Sequence, residues 1–413
     1  MMRYKKLFLL IILISVLSSF YILYELIQTS EDESMNEDSW VMWKQTYGGF
    51  DGERANSLVV TSDGGFALAG HTRTLGDGLS DFWLVKTDSF GVMEWNQNYG
   101  GIERDIATSL IVTSDGGYAL AGNILYYSNE SRRSNIWLVK TDSFGVMEWN
   151  QTYGGEYSDD VSSLVEASDG GYVFAGSTQF LGCDNSYAWL VKTDSFGVME
   201  WNQTYGGIDN DRVHSLVKTP DGGYALAIQR DIAETLPLVE TDIVLVKTDS
   251  FGVMEWNQTY GGAERDMVRS LVVTSDGGYA LAATTESFGA GEEDFWLVKT
   301  DSFGVMEWNQ TYGGAELDNA RSLIVTSDGG YALAGRRADS GFGNDDFLFV
   351  KTDESGNLEW SWFYGGSDDD WVNSLVELSD GGFALAGWTH SFGAGDDDVF
   401  LVRTNIENIP EIP

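Results

Sequence analysis

An acidic residue stands four positions after each Tyr-Gly-Gly triplet, seven times along the chain. Hard cations such as Ca²⁺ prefer carboxylate and carbonyl oxygens, so a ring of seven carboxylates predicts a cation-attracting rim or a Ca²⁺ site. The alternative is structural, because Asp in a turn commonly accepts hydrogen bonds from the backbone amides of its own loop. The seven residues are Glu53, Asp105, Asp159, Asp211, Asp266, Asp318 and Asp370.

A second acidic position recurs in five of the seven repeats. Two of the segments before it, ESFGAGEED and HSFGAGDDD, are rich in glycine and oxygen ligands. They lack the ordered alternation of an EF-hand loop, so metal binding stays open beside a purely structural role. The acidic residues are Asp81, Asp242, Asp294, Asp346 and Asp398, and Asn135 and Tyr187 take this place in the other two repeats.

The remaining reactive side chains do not form a catalytic set. The chain has three histidines, His71, His214 and His390, and no third zinc ligand is evident beside any of them. A serine recurs in every repeat without a general base at matching spacing, so it is interpreted as a hydrogen-bonding residue rather than a nucleophile. Cys183 is the single cysteine, which excludes a disulfide within the chain. We therefore predict no catalytic residue and no cofactor, with Ca²⁺ as the one candidate.

These positions recur because the chain is built from repeats. The segment LVKTDSFGVMEWNQTYGG occurs at 138–155, 190–207, 245–262 and 297–314, with a near-copy at 84–101. One tryptophan of each repeat follows the last at steps of 52, 54, 52, 55, 52 and 52 residues. Each period contains four short runs rich in Val, Tyr, Phe, Trp and Thr, separated by Gly-Asp turns such as SDGG and DSFG. Four strands in about 50 residues, repeated seven times, predict an all-β, seven-bladed β-propeller of four-stranded antiparallel blades.

The ends of the array predict how the ring closes. We name the strands of a repeat A, B, C and D in chain order. The last repeat ends after its C strand, and the missing D strand is Trp40–Tyr47, before the first A strand. Pairing this strand into the last blade leaves no open sheet edge in the ring.

The order of strands predicts two different sides of the ring. The A–B and C–D turns share one side and hardly vary, whereas the D–A and B–C connections share the other side, and all length variation lies in the B–C loops. Binding function concentrates on variable loops carried by a rigid scaffold, and aromatic and Arg side chains dominate binding energy. The predicted binding residues are Tyr126, Tyr127, Arg132 and Arg133 in blade two, Phe180 and Tyr187 in blade three, and Trp388 in blade seven.

The N-terminus predicts export and anchoring. Arg3, Lys5 and Lys6 precede the apolar run Leu7–Tyr24, which as a helix is about 27 Å long, near the hydrocarbon thickness of a bilayer. We expect an uncleaved signal anchor, with a cleaved signal peptide as the alternative, and the propeller outside the cell by the positive-inside rule. The expected divisions are a basic flank (1–6), a transmembrane helix (7–24), an acidic linker (25–39), the propeller (40–404) and a tail (405–413).

Composition restricts the class of partner. The formal net charge is −40 at pH 7, so the chain should repel nucleic acid and anionic membranes and attract cations or basic partners. A solvation role in a saline environment is the alternative. The sequon N-x-[ST] predicts glycosylation if the protein is exported, although Asn-Gln-Thr also repeats simply with the blade. Sequon residues are Asn129, Asn150, Asn202, Asn257 and Asn309.

The pattern SLVVTSDGGYALA followed by FGAGEEDFWLVKTDSFGVMEWNQTYGG resembles the seven-bladed β-propeller repeats (the SBBP-like group) of exported archaeal and bacterial proteins. The resemblance covers residues 40–404 and implies the fold and an extracellular location. We therefore expect a monomeric, membrane-anchored extracellular propeller that binds a protein or polysaccharide through its B–C loops. A surface-glycan-acting enzyme and a purely structural envelope component remain the alternatives.

Overall fold

The computed structural model describes residues 40–76, 78–128, 131–180, 185–207, 209–232, 240–338 and 345–405, with the backbone alone at 127–128 and 131–132. The 28 strands of this part of the chain form seven four-stranded antiparallel sheets. The predicted seven-bladed propeller is therefore confirmed. The predicted anchor lies outside the described residues, among which no helix is long and apolar enough to span a bilayer.

Each blade uses four strands in the order A, B, C, D from the axis outward. Blade one is β2 (Glu53–Val60), β3 (Phe66–Thr72), β4 (Asp81–Thr87) and β5 (Met93–Tyr99), and blade two is β6 (Arg104–Val112), β7 (Tyr118–Ser128), β8 (Ser131–Thr141) and β9 (Met147–Tyr153). Blade three is β10 (Asp159–Glu166), β11 (Tyr172–Gln179), β12 (Ser186–Thr193) and β13 (Met199–Tyr205), and blade four is β14 (Asn210–Lys218), β15 (Tyr224–Ile232), β16 (Glu240–Thr248) and β17 (Met254–Tyr260). Blade five is β18 (Asp266–Val273), β19 (Tyr279–Thr285), β20 (Asp294–Thr300) and β21 (Met306–Tyr312), and blade six is β22 (Asp318–Val325), β23 (Tyr331–Ala338), β24 (Asp345–Thr352) and β25 (Leu358–Tyr364). Blade seven is β26 (Asp370–Glu377), β27 (Phe383–Thr389), β28 (Asp398–Thr404) and, from the other end of the propeller, β1 (Val41–Tyr47).

The last blade is completed by the first strand. β1 pairs antiparallel with β28, so that Gln45 lies opposite Leu401 and Tyr47 opposite Val399. The amide of Asn405 extends the pairing by donating to the carbonyl oxygen of Trp40 at 2.6 Å. The ring therefore closes by the strand exchange that the sequence predicts.

The apolar core lies between the blades. Seven buried clusters alternate with the seven sheets, and each combines side chains from two neighbouring blades. Both faces of the B and C strands are therefore covered, which explains why β3 and β4 are buried at every residue. Tyr47 of β1 belongs to the cluster between blades seven and one, with Leu58 and Leu401. Truncating one such buried leucine costs about 2 to 5 kcal/mol.

The innermost strands are also joined by hydrogen bonds. Each A strand has a register shift just before its serine, as between Ala55 and Ser57. The hydroxyl of Ser57 accepts the amide of Leu110 on the next A strand at 3.2 Å, and this contact recurs around the ring. The serines thus act as hydrogen-bonding residues, as the sequence interpretation favoured over a nucleophile.

The A–B and C–D turns lie together, as predicted. The Lys86 ammonium donates to Asp63 of the A–B turn and to Glu94 after the C–D turn, at 2.8 Å each. Although burial raises it, hydrogen bonds from Lys86, Thr61 and the amide of Gly65 lower the pKa of Asp63 to about 2. Six blades repeat the lysine arrangement, which fixes both turns on one side.

Deleting residues 40–49 from the full chain should strongly destabilise or aggregate the protein. The deletion removes β1, exposes the edge of β28 and opens the cluster between blades seven and one. Calorimetry and size-exclusion chromatography measure the effect. A deletion of equal length, 30–39, is the control because it lies before β1. If the 40–49 deletion variant had the same melting temperature as the parent, ring closure by β1 would not be required for stability.

Candidate functional site

The D–A and B–C connections lie on one side of the ring. The amide of Asp51 in the connection before β2 donates to Thr74 Oγ1 in the first B–C loop at 3.3 Å. On the same blade, Asn98 Nδ2 donates to the carbonyl oxygen of Leu75 at 2.8 Å. The loops of variable length therefore share the side that the sequence predicts, and we call it the loop side.

The seven carboxylates of the Tyr-Gly-Gly motif lie at the loop side but do not form an open rim. Five are the first residue of an A strand, and Asp105 and Asp211 are the second, whereas the sequence placed all seven in the connection before the strand. All are buried, between 0% and 3% exposed. Glu53 accepts the amide of Gly49 at 2.8 Å and Asp266 accepts that of Gly262 at 2.7 Å. The carboxylates thus point back into their own loops, because the tight Gly-Gly turn leaves amides that need an acceptor.

A second carboxylate from the preceding blade faces most of these residues. A Cβ added to Gly100 would lie 2.1 Å from Asp81 Oδ1 and 2.7 Å from Asp105 Oδ2, so only glycine fits above this pair. The same arrangement recurs at five junctions. The pairs are Asp81–Asp105, Asp242–Asp266, Asp294–Asp318, Asp346–Asp370 and Asp398–Glu53, and Asn135–Asp159 and Tyr187–Asp211 occupy the other two.

Burial raises the proton affinity of two of these paired acids, and the neighbouring carboxylate adds to it. Burial, together with the charges of Asp81 and Glu103, raises the pKa of Asp105 to about 6 despite the hydrogen bond from the amide of Gly101. Burial raises the pKa of Asp318 to about 6 as well. Among the described residues, no group of three or more His, Cys, Asp or Glu side chains converges on one point. Each junction therefore offers at most two carboxylates, and backbone carbonyls would have to complete a Ca²⁺ site.

Part of the predicted binding surface comes together between blades two and three. The Arg133 guanidinium lies 5.0 Å from the Tyr157 ring, and the Phe180 and Tyr187 rings are 5.5 Å apart. Tyr157 and Phe180 line a groove of about 390 Å³. Phe180 is 47% exposed. This groove is the best candidate for a partner site on the loop side.

The blade-two segment is a long hairpin rather than a loop. β7 and β8 extend to Ser128 and Ser131, and their pairing continues without a register shift from Tyr118 and Thr141 to these ends. The Tyr126 hydroxyl contacts Asn135 Oδ1 at 3.5 Å. The side chains of Tyr127 and Arg132, and the sequon residue Asn129, lie outside the described residues.

Trp388 lies far from this groove and is buried within β27. Its ring stacks on Trp371 at 5.2 Å, and the Arg54 guanidinium covers it at 4.1 Å. Arg336 lies 4.2 Å from the ring of Trp371. The sequence prediction of Trp388 as an exposed loop aromatic is therefore wrong, because the strand continues through it and neighbouring blades cover it. It belongs instead to an aromatic and cationic cluster of blades six, seven and one.

The histidines occupy separate environments. Burial, with Arg73 and other cations nearby, lowers the pKa of His71 to about 4. His390 contacts Asp397 and the edge of Trp388. No zinc ligand set forms among the described residues, and Cys183 lies outside them.

The sequon asparagines on the D strands are exposed but engaged. Asn150 Oδ1 accepts the indole N–H of Trp137 at 3.1 Å, and Asn202 and Asn309 bond their tryptophans in the same way. Asn96 is outside any sequon and makes the same bond to Trp83. The recurring asparagine thus has a structural contact whether or not it is glycosylated.

Sequence reasoning missed several residues at these sites. Arg54, Trp371 and Arg336 are in strands, whereas the search for binding residues followed the B–C loops. A signal was present for two of them: at the position directly after each carboxylate, the blades differ in residue type instead of repeating it. Departures from the repeat on the A strands therefore point to Arg54 and Trp371, whereas Arg336 lies on the B strand β23.

Lowering the pH from 7.5 to 5 should stabilise the fold, and Asp81→Asn should reduce that dependence. The pKa of Asp105 is higher in the folded protein than in the unfolded chain, so protonation of Asp105 favours the folded state. This stabilisation is fully present below pH 3.8 and is lost as the pH rises through about 6. A shift of this size corresponds to about 3 kcal/mol, with burial as the largest cause and the charge of Asp81 as a further one. Asp81→Asn reproduces the Asn135–Asp159 pair between blades two and three. Melting temperatures at both pH values measure the effect.

The exposed Asp51→Asn is the charge-matched control for this experiment. Equal pH slopes for Asp81→Asn and the parent would contradict the coupling of the two carboxylates. The same melts with millimolar Ca²⁺ test the metal prediction. Stabilisation of the parent but not of Asp81→Asn would place the cation at this pair.

Comparisons with known proteins support the fold more than the function. No family model matches the chain. It is 23% identical over 430 residues to "Regulatory protein FlaEY" of Caulobacter vibrioides, covering 84% of this chain and 45% of that relative. The chain thus spans under half of the relative's length. A Dyadobacter fermentans protein of unknown function has a TM-score of 0.52 at 10% identity, covering 88% of this chain and 98% of its own. A puromycin hydrolase has a TM-score of 0.54 at 13% identity, covering 84% and 53%. These likenesses show the β-propeller fold alone.

Proposed function

We propose that the protein is a membrane-anchored, outward-facing propeller that binds a protein or polysaccharide partner through its loop side. A β-propeller scaffold fits a binding or interaction role, and the Caulobacter vibrioides relative is a regulatory protein by name. The observation that carries the proposal is the groove lined by Tyr157 and Phe180, with the Arg133 guanidinium against the Tyr157 ring. Exposed aromatic rings beside an arginine, on the side where the blades differ, are the usual composition of a binding hot spot.

Two alternatives remain beside this proposal. An enzyme acting on surface glycans needs an acid–base pair of carboxylates facing a cleft, whereas the paired carboxylates described above are buried beneath glycine. A purely structural envelope component needs no ligand. It predicts that substitutions in the groove leave all binding unchanged.

The direction of β1 supports the proposed orientation. Like every D strand, β1 runs from the side of the C–D turns toward the loop side, and residues 1–39 precede it. An anchor within 7–24 would therefore join the propeller at the side of the C–D turns. The loop side would face away from the bilayer, toward partners.

The C–D turns carry exposed aromatic residues that fit a membrane surface. In blades one to five each turn presents a phenylalanine that is 66% to 70% exposed. Phenylalanine at this exposure suits the interfacial region of a bilayer. Blade six has Ser355 and Asn357 in place of the Phe and Val of the other turns, and the entry of the chain replaces the turn in blade seven. The phenylalanines are Phe90, Phe144, Phe196, Phe251 and Phe303.

Phe180→Ala and Arg133→Ala should each weaken partner binding about 10- to 100-fold, because each removes an anchor of the groove. The full chain in nanodiscs is applied to an array of neutral and acidic polysaccharides and basic peptides, and affinity is measured for each positive probe. Phe144→Ala is the matched control, since Phe144 is exposed on the opposite side. A probe that loses affinity with Phe144→Ala and keeps it with both groove variants would invert the proposed binding side.

Changing all five turn phenylalanines to Ser, the residue of blade six, should lift the propeller from the bilayer. Tryptophans such as Trp95 pack against these turns, so quenching by headgroup-brominated phosphatidylcholine reports their distance from the lipid. We expect less quenching in the variant. Adding anionic lipid should also reduce the quenching of the parent protein, because the protein is strongly acidic. Phe50→Ser, on the loop side, is the control. Equal quenching of the parent and the five-site variant would contradict this orientation.

A further inference from the structure

One residue of each innermost strand lies at the register shift and faces the axis of the ring. The A strands contact one another around the whole circle, so they line the central channel. The shift recurs in all seven A–B pairs. The seven residues in this row are Asn56, Thr108, Ser162, His214, Arg269, Arg321 and Asn373.

The smaller residues of the row have a structural role. Asn56 Nδ2 donates to the carbonyl oxygen of Ala107 at 2.8 Å, and Asn373 Nδ2 donates to that of Ala55 at 2.9 Å. Thr108 Oγ1 lies 3.1 Å from the carbonyl oxygen of Val161. Each of these side chains satisfies a backbone carbonyl of the next blade, which the register shift leaves available.

Arg269 and Arg321 depart from this pattern in neighbouring blades. Both side chains are half-buried, and among the described residues no carboxylate forms an ion pair with either. Arg321 lies 5.3 Å from the ring of Trp371, and Arg336 covers the same ring at 4.2 Å. The Nε–H groups of Arg321 and Arg336 are buried without an acceptor in this part of the structure. A buried donor without a partner is costly, so these groups favour an acceptor from outside the chain.

A neutral histidine holds one of the two guanidiniums. Burial and the neighbouring Arg269 lower the pKa of His214 to about 3, so it is uncharged at neutral pH. The Gln229 amide donates to Asp231 at 2.8 Å, which turns Gln229 Oε1 toward His214 Nε2, 3.1 Å away. The hydrogen-bond network thus assigns the proton to Nε2. Nδ1 then accepts from Arg269 Nη1 at 3.3 Å, which leaves the other edge of the guanidinium free to bind.

The cluster concentrates positive charge in a chain of formal net charge −40. Burial, followed by the charges of Arg269 and Arg336, lowers the pKa of Arg321 to about 10. Burial lowers the pKa of Arg269 as well, and the nearby Glu293 opposes this. The Glu293 carboxylate contacts Asn319 Nδ2. The guanidiniums therefore stay charged at neutral pH and repel one another, with one carboxylate close enough to compete for them.

We propose that Arg269 and Arg321 form a binding site for an oxyanion, a carboxylate or a phosphate group, inside the central channel. Guanidinium groups bind either oxyanion through two parallel N–H donors, and two adjacent groups can hold a single anion between them. Such an anion would supply acceptors to the unpaired donors and relieve the repulsion. The site lies on the axis rather than in the groove of blades two and three, so it stands whether or not the loop side binds a partner.

Isothermal titration of the full chain in detergent tests the proposal, with inorganic phosphate and succinate as separate probes at low ionic strength. Arg269→Asn and Arg321→Asn install the residue that blades one and seven carry at this position. We expect each to weaken binding at least 10-fold. Glu293→Gln should tighten binding several-fold because it removes the competing carboxylate. The relative affinities for the two probes distinguish a phosphate site from a carboxylate site.

Arg265→Asn is the control, because it removes one positive charge at the exposed start of the same blade. Thermal melts of every variant report folding, and the anion should raise the melting temperature of the parent but not of the two channel variants. Arg321→Lys keeps the positive charge but lacks the two parallel N–H donors, so it should also weaken binding. This variant provides the test if the Asn variants fail to fold. The proposal is overturned if neither probe binds the parent, or if the channel variants bind as the parent does.

Discussion

Every sheet of this protein buries its apolar residues against its neighbours, and this is the constraint on which the rest of the structure depends. The seven clusters lie between blades, so no blade has a core of its own. A single blade would expose both faces of its B and C strands, whose central residues are apolar. Only a closed ring covers all of them, and closure requires β1 from one end of the propeller to pair with β28 from the other.

Polar contacts that recur in most blades hold this packing in register. The hydroxyl of Tyr99 donates to the carbonyl oxygen of Gly145 in the next blade at 2.6 Å, and the same bond is repeated around most of the ring. The serines of the A strands and the carboxylates beside Tyr-Gly-Gly make comparable links at the axis and at the loop side. Because these groups recur wherever two blades meet, their recurrence reflects the scaffold. Residues that break the repeat are the better guide to function.

The departures fall in two places with different chemistry. On the loop side, Tyr157 and Phe180 line an aromatic groove, and the Arg133 guanidinium lies against the Tyr157 ring. Near the axis, Arg269 and Arg321 replace small residues that otherwise cap backbone carbonyls. Burial of these guanidiniums and the repulsion between them carry an electrostatic cost, which an anionic ligand would offset. The two places are independent, because different blades build them.

The sequence by itself determined the number of blades, the four strands of each and the closure by the N-terminal strand, because a fixed period and turn glycines are local signals. It also identified the variable side, since loop lengths can be read directly. Only the tertiary structure decided which side chains meet. Trp388 is buried because Trp371 of the same blade and Arg54 of blade one cover it. Asp105 is protonated more easily because burial, together with the charge of Asp81 from the preceding blade, raises its pKa. His214 and Arg269 likewise touch across 55 positions of the chain. Such contacts depend on the twist and spacing of whole blades, which no local pattern of residues records.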